Sequence, residues 1–391
     1  MPTTKLLIVQ QYVPSYRVAL FEQLRDCLHE SGIDLRVAYS TPSPQDAARV
    51  DTADLPEFGI KINTRRICIR GNTVSFKNVT RPSSQVKPDF IIVEQATKNL
   101  ENWAMLIRSF LPRGVPIAFW GPGRAPVSSI HSEYRGLKRV MTNLGSWFFA
   151  YTTKGAELVA SQGFDKTRIT VVNNSLDTKT LQNQMEQITQ ERLQEWESQH
   201  QLTSGRIGLF LGGVDSRKGI DFLLEAAGSV AERLPGFVLL VGGEGEETQK
   251  VIELQQKGAP VRYLGRVDGM EKALALKSST VLMIPEWVGL VAVDAIGSAT
   301  PLVSTKHPSH APEFDYLEDG QTCLVTDHNV ESYANSIASL LQDPQKLKDM
   351  QSAATIAAVS LQLSTTVQNF SAGIKTWTHS HQKYCGKREQ R

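Results

Sequence analysis

Short apolar runs alternate with longer stretches of helical period in the first part of the chain. Residues 6–9 form an apolar run of strand length, and Leu20, Phe21, Leu24 and Leu28 then recur on one helix face. The same rhythm predicts further strands at residues 35–39, 90–93, 116–120, 148–151 and 169–172. The polar stretch at residues 41–88 has no clear period, and no element is predicted there.

A Gln- and Glu-rich segment at residues 178–201 separates this half of the chain from a second one. Its apolar residues recur as one helical stripe, which predicts a solvated helix between domains; it is too short for the sustained heptads of a coiled coil. The alternation of strands and helices then restarts. It predicts strands at 207–211, 237–241, 261–264, 281–284 and 302–304, with helices at 220–233 and 330–341.

Consecutive short strands joined by helices predict an α/β protein with parallel sheets, because parallel strands need crossover helices. Since the alternation runs twice, we expect two Rossmann-like, doubly wound domains that face each other across a cleft, where ligands of such sheets bind. We expect a first domain at residues 1–177, an interdomain helix or linker at 178–204 and a second domain at 205–360. A C-terminal helix and basic tail, with the option of packing back on the first domain, would occupy 361–391.

The composition fits a globular protein with more than one domain: 391 residues, 41% hydrophobic and 21% charged. A formal charge of +2 gives no reason to expect a nucleic acid or another polyanion as partner. Cys27, Cys68, Cys323 and Cys385 form no CxxC pair, and no apolar run approaches the roughly 20 residues of a membrane span. We therefore expect a reduced cytoplasmic protein; the oligomeric state stays open.

The densest chemical signal lies at residues 284–295. A strand ends at Pro285, a turn carries Glu286, and Gly289 is expected to open the next helix, with Asp294 inside it. Unpaired backbone N–H groups and the helix dipole favour an anion at such a helix start. Two carboxylates beside a phosphate site suit the hydroxyl groups of a sugar and a ribose. Taken alone, they also fit a turn-capping Glu and a solvated Asp.

A second anion signal follows the first strand of the second half. Gly212 and Gly213 allow close approach of a ligand to the backbone, and Lys218 supplies a mobile charge for phosphate. A surface turn with two solvated basic residues, Arg217 and Lys218, is the alternative. Glycines at 242, 243 and 245 also end a strand, but neither a dinucleotide fingerprint nor a Walker P-loop is present.

Together these elements resemble the second half of family-4 glycosyltransferases of GT-B fold. The likeness runs from about Arg206 to Asp343, through the glycine–lysine loop and Tyr263-Leu264-Gly265-Arg266 to Glu286 with Asp294 in the place of a Glu-x7-Glu pair. In the first half, residues 13–21, 120–124, 151–152 and 172–177 are similar to a bacterial surface-polysaccharide subgroup.

The resemblance implies roles for individual residues. Lys218 would contact the pyrophosphate, Glu286 a hydroxyl of the donor sugar and Asp294 the ribose. Family members act without a metal and retain the anomeric configuration, so Glu286 and Lys218 become the expected catalytic residues, with no cofactor besides a nucleoside-diphosphate sugar. The expected donor-binding set is Gly212, Gly213, Arg217, Lys218, Arg266, Val288, Gly289, Leu290, Val291 and Asp294.

Three departures from the family pattern bear on activity. Gly213 stands where the family has an Arg, for which Arg217 or Arg266 is a candidate substitute. Pro122 stands where the subgroup has a His, and proline cannot relay a proton; His131 is the nearest histidine. Asp294 is one methylene shorter than the expected Glu, yet it still accepts hydrogen bonds.

The first half would bind the acceptor, which the resemblance implies to be a glycan or a lipid-linked molecule. The helix expected at residues 132–144 places Tyr134, Leu137, Met141 and Leu144 on one side and Arg135, Lys138 and Arg139 on the other. A solvated basic face and peripheral contact with an anionic inner membrane surface both fit. The candidate acceptor-binding residues are Tyr16, Arg17, Glu94, Trp120 and Arg124.

The prediction is thus a glycosyltransferase that moves a sugar to a hydroxyl group of such an acceptor. Gly213 and Pro122 favour the alternative of a catalytically degenerate accessory protein that binds a nucleotide sugar or glycan. A nucleotide-sugar epimerase is a second alternative, which would consume the donor without an acceptor.

Overall fold

A computed structural model describes residues 3–43, 51–69, 72–124 and 132–389. Two compact units divide the chain. One contains the residues up to Asn174 and those from Ser364 onward, and the other is Ser175–Leu363. Among the described helices, none is long and apolar enough to cross a membrane.

The first unit is built on a parallel, seven-stranded sheet of order β3-β2-β1-β6-β7-β8-β9. Its central strands are buried along nearly their whole length, because helical crossovers cover a parallel sheet on both faces. The strands predicted from the apolar runs are all present, and β3 is an additional edge strand. Their bounds are β1 Thr4–Gln10, β2 Ile33–Tyr39, β3 Gly59–Lys61, β6 Phe90–Glu94, β7 Ile117–Gly121, β8 Trp147–Ala150 and β9 Ile169–Val171.

An antiparallel hairpin, β4 (Thr64–Ile69) and β5 (Asn72–Lys77), lies in the stretch for which no element was predicted. A buried ion pair joins the hairpin to the rest of the unit. Lys77 is 1% exposed; both its amide (3.0 Å) and its ammonium group (2.9 Å) donate to the carboxylate of Glu101, which is also buried. The pattern missed this hairpin because part of its apolar surface, including Ile67 and Phe76, faces solvent.

Six helices of the described residues pack around this sheet. The last helix follows the second unit in the sequence but packs in the first unit. Phe370 contacts Trp120 and Phe149, and the indole N–H of Trp377 donates to Ser146 Oγ at 3.1 Å. The helices are α1 Val18–His29, α2 Thr80–Val86, α3 Leu100–Ser109, α4 Ser132–Asn143, α5 Thr153–Ser161 and, at the C-terminus, α14 Leu363–Glu389.

The orientation expected for α4 is wrong. Lys138, placed on a solvated basic side, is 6% exposed and donates to the carbonyl of Arg124 at 2.5 Å. Leu137 and Leu144 are exposed, as is Val140, while Met141 is fully buried. The flexible stem of a lysine can follow the apolar interior until its ammonium group reaches a carbonyl, which a helical-wheel argument does not foresee. His131 lies outside the described residues.

The second unit contains a parallel, six-stranded sheet of order β12-β11-β10-β13-β14-β15. Five strands agree with the apolar runs, and β15 is additional. The strands are β10 Ile207–Leu211, β11 Val238–Gly242, β12 Val261–Gly265, β13 Val281–Met283, β14 Leu302–Thr305 and β15 Cys323–Thr326. The helices around this sheet are α8 Ile220–Arg233, α9 Thr248–Gln256, α10 Gly269–Ser278, α11 Val291–Gly297, α12 Val330–Leu341 and α13 Pro344–Ala358.

The Gln- and Glu-rich segment forms two helices, α6 (Thr178–Gln187) and α7 (Gln190–Gln199), where one was predicted. Thr189 separates them, because its hydroxyl caps α7 by accepting from the amide of Arg192. The apolar stripe is buried in the core of the second unit, with Trp196 6% exposed, and its indole donates to Glu271 at 2.8 Å. The segment is therefore part of this unit.

Glycines that follow β10 and β11 let neighbouring backbones approach closely. Gly243 has φ 140°, and a Cβ on it would lie 1.8 Å from the carbonyl oxygen of Gly212. A Cβ on Gly245 would lie 2.2 Å from the carbonyl oxygen of Val214. These glycines thus serve the packing of the protein's own chain, which the sequence alone could not distinguish from room for a ligand.

We expect Gly243→Ala to lower the free energy of unfolding by about 3 kcal/mol, because it adds both backbone strain and overlap. Gly228→Ala is the matched control, since a Cβ there meets nothing within 4 Å in the middle of α8. The control should raise stability by about 0.5–1 kcal/mol. Urea denaturation of both variants checks this; equal stabilities would contradict the packing role of Gly243.

Candidate functional site

The loop after β10 fixes a lysine beside the next strand end. Residues 216–218 form a single 3-10 turn, which the Asp215 carboxylate caps by accepting a hydrogen bond from the amide of Arg217. The turn ends at Gly219, with a left-handed φ of 64°. The Lys218 ammonium group donates to the carbonyl of Trp287 at 2.7 Å. The lysine loop and the turn after β13 are therefore in contact within one unit.

The Glu286 side chain, from the turn after β13, lies against the loop that carries Lys218. A Cβ on Gly219 would lie 2.6 Å from Glu286 Oε1, so the carboxylate rests against a backbone that has no side chain. The Glu286 side chain is 16% exposed. The structure thus brings together the two residues expected to be catalytic, Lys218 and Glu286, although they are far apart in the sequence.

The helix after Glu286 begins later than expected. It is Val291–Gly297, with Leu290 rather than Gly289 at the N-cap position. The amides of Ala292 and Val293 donate to the carbonyls of Gly289 and Leu290.

The amide of Val288 was expected to bind a phosphate. In the structure it donates its one hydrogen bond to His310 Nδ1 at 3.1 Å and is not available for that role. Within the described chain, the amides of Gly289, Leu290 and Val291 donate no hydrogen bond. These three remain as the phosphate-binding amides of the prediction.

Two histidines flank Glu286 that the sequence did not single out. His328 Nε2 lies 3.5 Å from Glu286 Oε1, and His307 Nε2 lies 3.6 Å from Glu286 Oε2. The three groups offer donor atoms that all lie within 4.8 Å of one another. Their sequence spacing carries no metal-binding signature, because His307 follows β14 while His328 follows β15, and only the sheet joins them.

Asp294 is already paired with a lysine. Its carboxylate accepts a hydrogen bond from Lys272 Nζ at 2.6 Å, and the residue is 7% exposed. The partner comes from α10. A ribose hydroxyl would therefore meet a carboxylate whose charge is already compensated and whose orientation is fixed.

The two arginines expected to stand in for the family arginine each face an aspartate. Arg217 makes a two-pronged contact with Asp215, at 3.1 and 2.8 Å, and lies over the Trp287 ring. Burial raises the pKa of the Asp215 carboxyl, but the hydrogen bonds and charge of Arg217 outweigh it, and the pKa is lowered overall. Arg266 lies 3.9 Å from Asp268.

In the first unit, Arg17 and Trp120 form one buried cluster. The Arg17 guanidinium donates to Gln10 at 2.6 Å and to the hydroxyl of Tyr151 at 3.0 Å, and it lies 4.5 Å from the Trp120 ring centre. Trp120 is 1% exposed and packs on Phe370, so the expected acceptor contact of Trp120 is wrong. Its ring belongs to the core, an alternative that strand position alone could not decide.

The other acceptor candidates of the first unit are more accessible. Tyr16 and Arg124 are half-buried, and Glu94 ends β6 with its side chain 25% exposed. The Glu94 carboxylate lies 3.7 Å from Lys77 Nζ, and burial raises its pKa despite the nearby positive charges of Lys77 and Arg17. Pro122 lies against the helix start at Gly155, where a Cβ would come within 2.4 Å of its carbonyl.

Residues 205–343 match the sequence model of the family described as glycosyl transferases group 1. The second unit resembles sugar-transferring enzymes. The matched range contains Lys218, Glu286 and Asp294, whereas the acceptor candidates of the first unit lie outside it.

A curated relative is the phosphatidyl-myo-inositol mannosyltransferase of Mycobacterium tuberculosis (strain ATCC 25618 / H37Rv). It is 37% identical over 106 residues, which make up 26% of this chain and 28% of that protein. The match thus spans little more than a quarter of the length of that relative.

Solved structures resemble the chain over nearly its whole length. HepE of Anabaena, crystallised with UDP, has a TM-score of 0.65 at 16% identity and covers 96% of this chain and 100% of that one. A UDP-GlcNAc 2-epimerase of Neisseria meningitidis has a TM-score of 0.61 at 14% identity, with coverage of 94% and 99%. The chain therefore has the GT-B fold of two Rossmann-like units.

We expect Lys272→Met to lower the free energy of unfolding by about 1–3 kcal/mol, because it leaves the buried Asp294 carboxylate without its cation. Lys306→Met is the matched control. Lys306 pairs with Asp327 at 2.8 Å, but both side chains are exposed, and no measurable change is expected. Thermal unfolding compares the two; equal effects would show that Asp294 does not depend on Lys272.

Proposed function

We propose that the protein is a glycosyltransferase that moves a sugar from a nucleoside-diphosphate sugar to a hydroxyl of a glycan or lipid-linked acceptor. One observation carries the proposal: Gly219 brings the Lys218 loop against Glu286, so a cation and a carboxylate share one strand-end site. The match of residues 205–343 to group 1 glycosyl transferases supports it. So does the mannosyltransferase relative.

The pyrophosphate would be held by Lys218 and by the amides of Gly289, Leu290 and Val291. In the structure the Lys218 ammonium group donates to the carbonyl of Trp287, and a long flexible side chain can exchange that carbonyl for phosphate. Fixed donors of this kind stabilise the charge that develops on the leaving diphosphate. The proposed reaction therefore proceeds without a metal.

The two carboxylates would bind hydroxyl groups on either side of the diphosphate. Glu286 would accept from a hydroxyl of the sugar, and Asp294, held by Lys272, would accept from the ribose. We propose retention of the anomeric configuration, as in the family that the sequence resembles. NMR of the product formed from an α-linked donor tests it, since a β-linked product would contradict retention.

Uracil is the first base to test, because HepE was crystallised with UDP and the epimerase neighbour with UDP-GlcNAc. The acceptor would be bound by the first unit, with Tyr16, Glu94 and Arg124 as candidates; Arg17, 7% exposed and bonded to Gln10 and Tyr151, would act by holding this region in place. The protein would work in the cytoplasm, at the inner face of the plasma membrane.

Two alternatives are distinguished by the same assay. An accessory protein, favoured by Gly213 and Pro122, would bind the nucleotide sugar without releasing the diphosphate. An epimerase, favoured by the fold likeness to UDP-GlcNAc 2-epimerase, would change the donor with no acceptor present. Acceptor-dependent release of the diphosphate supports the transferase alone.

We expect UDP to raise the melting temperature of the protein, because a ligand that binds only the native state stabilises it. Lys218→Ala should abolish most of this shift. Lys348→Ala, which removes an exposed lysine on α13, is the control and should keep it. A full shift in Lys218→Ala would contradict the assignment of Lys218 to the diphosphate.

We expect Glu286→Gln to slow acceptor-dependent release of the diphosphate about 100-fold or more, because a neutral amide replaces the carboxylate that orients the sugar. Glu331→Gln, an exposed change in α12, should act like the parent protein. Coupled detection of released UDP measures both. Undiminished release by Glu286→Gln would contradict its proposed role.

Peripheral membrane contact would use the exposed apolar face of α4. Leu137 and Val140 are 48% and 53% exposed and lie three residues apart on one side of the helix, and Leu144, directly after its last residue, is 41% exposed. Leu137→Glu should reduce co-sedimentation with vesicles that contain anionic lipid. Ile356→Glu, at a 77% exposed position in the second unit, should not. Equal binding by both variants would contradict this face.

A further inference from the structure

The carboxylate of Glu286 lies between two imidazole rings, and each of its oxygens faces one of them. Oε1 is 3.5 Å from His328 Nε2, and Oε2 is 3.6 Å from His307 Nε2. The side chains are partly accessible, with exposures of 16% for Glu286, 22% for His307 and 38% for His328. A small ion can therefore reach a cluster of three donor atoms.

The hydrogen bonds of Thr305 determine which nitrogen of His328 carries the proton. The Thr305 hydroxyl donates to the carbonyl of Pro285 at 2.8 Å, so its oxygen accepts from His328 Nδ1 at 3.0 Å. In neutral His328, the lone pair of Nε2 then points toward Glu286. Two electron-rich atoms 3.5 Å apart repel each other unless a proton or a metal cation lies between them.

We propose that Glu286, His307 and His328 form a binding site for a divalent transition-metal ion of the Zn²⁺ type. A tetrahedral ion with ligands at about 2.0–2.1 Å separates its ligand atoms by about 3.4 Å. The two imidazole–carboxylate separations, 3.5 and 3.6 Å, are close to that value but involve different carboxylate oxygens. One donor atom from each residue lies within 4.8 Å of the others, so side-chain rotation would bring all three onto one ion. The fourth position is open to water.

The surroundings of His328 are those of a metal ligand. Its second nitrogen is anchored to Thr305, as metal-bound histidines are anchored through the nitrogen that does not bind the ion. Its ring stacks on Phe222, with ring centres 4.8 Å apart and planes 11° from parallel. The ring is thus oriented before any ion arrives.

His307 is less well prepared. The amide of Ser309 donates to His307 Nδ1 at 3.3 Å, so the neutral ring carries its proton on Nε2. Binding of an ion at Nε2 requires that proton to leave and the Ser309 contact to break. His328 should therefore contribute more to the affinity than His307.

The ligand set also selects the kind of ion. Two imidazole nitrogens and one carboxylate suit Zn²⁺ and its transition-metal neighbours, whereas Mg²⁺ and Ca²⁺ require oxygen ligands. An ion at this site would occupy the carboxylate that binds the donor sugar in the proposed function. This consequence, which rests on that function, makes the ion an inhibitor that competes with the donor.

The binding test uses the full chain, stripped with EDTA and titrated with Zn²⁺ or Mg²⁺ in a calorimeter, with no nucleotide sugar. We expect one Zn²⁺ site and no Mg²⁺ site. His328→Phe keeps a ring on Phe222 but removes the ligand, and it should weaken Zn²⁺ binding at least tenfold. His307→Ala should weaken it less, and His29→Ala, at an exposed position on α1, should not change it.

The proposal is overturned if the parent protein binds no Zn²⁺, or if His328→Phe binds it as tightly as the parent. Melting temperatures without metal verify that each variant is folded. Because this titration needs no substrate, its result is independent of whether the protein transfers sugar. In the transfer assay, Zn²⁺ should raise the apparent KM for the donor in the parent and not in His328→Phe; an unchanged KM in the parent overturns the inhibitory role.

Discussion

The close approach of Glu286 to the backbone of Gly219 is the contact on which the rest of the candidate site depends. A side chain at position 219 would collide with the carboxylate, and the left-handed φ of 64° disfavours any residue other than glycine. This contact joins the loop after β10 to the turn after β13, and Lys218 secures it through the carbonyl of Trp287. Two neighbouring parallel strands thus deliver a cation and an anion to the same sheet edge, where ligands of such sheets bind.

This edge of the sheet carries both groups that attract anions and groups that attract cations, so the binding of a donor and the binding of a metal ion involve neighbouring atoms. Lys218 and the amides near the start of α11 favour an anion, whereas Glu286 with the two imidazoles favours a cation. A nucleotide sugar would satisfy the first set with phosphate and the carboxylate with a hydroxyl group. A metal ion would satisfy only the second set, and it would withdraw the acceptor atoms that the sugar needs. The same geometry therefore predicts that the two ligands exclude each other.

The sequence predicted the strands well because parallel strands are buried on both faces and appear as continuous apolar runs. The sequence-based prediction failed in elements that expose apolar side chains or bury charged ones. The hairpin β4–β5 exposes Ile67 and Phe76, and α4 buries Lys138 while exposing Leu137, so the period of apolar residues misleads in both. The order of the motifs predicted that Lys218 and Glu286 would lie near each other, and in the structure Gly219 lies against Glu286. The histidines beside Glu286 could not be found, because they follow different strands and only the sheet brings them together.

The fold itself does not decide the chemistry, since a UDP-GlcNAc 2-epimerase shares it at 14% identity. The decision rests on the residues at the strand ends, and here Gly213 is informative. A Cβ at this position would lie 2.9 Å from Asp215 Oδ2, the oxygen that Arg217 holds at 2.8 Å. A larger residue would compete with the Asp215–Arg217 pair, which caps and orients the turn carrying Lys218. The absence of an arginine at 213 is thus compatible with the capped turn that carries Lys218, and in the proposed reaction Lys218 and the backbone amides of Gly289, Leu290 and Val291 would supply the positive charge for the leaving diphosphate.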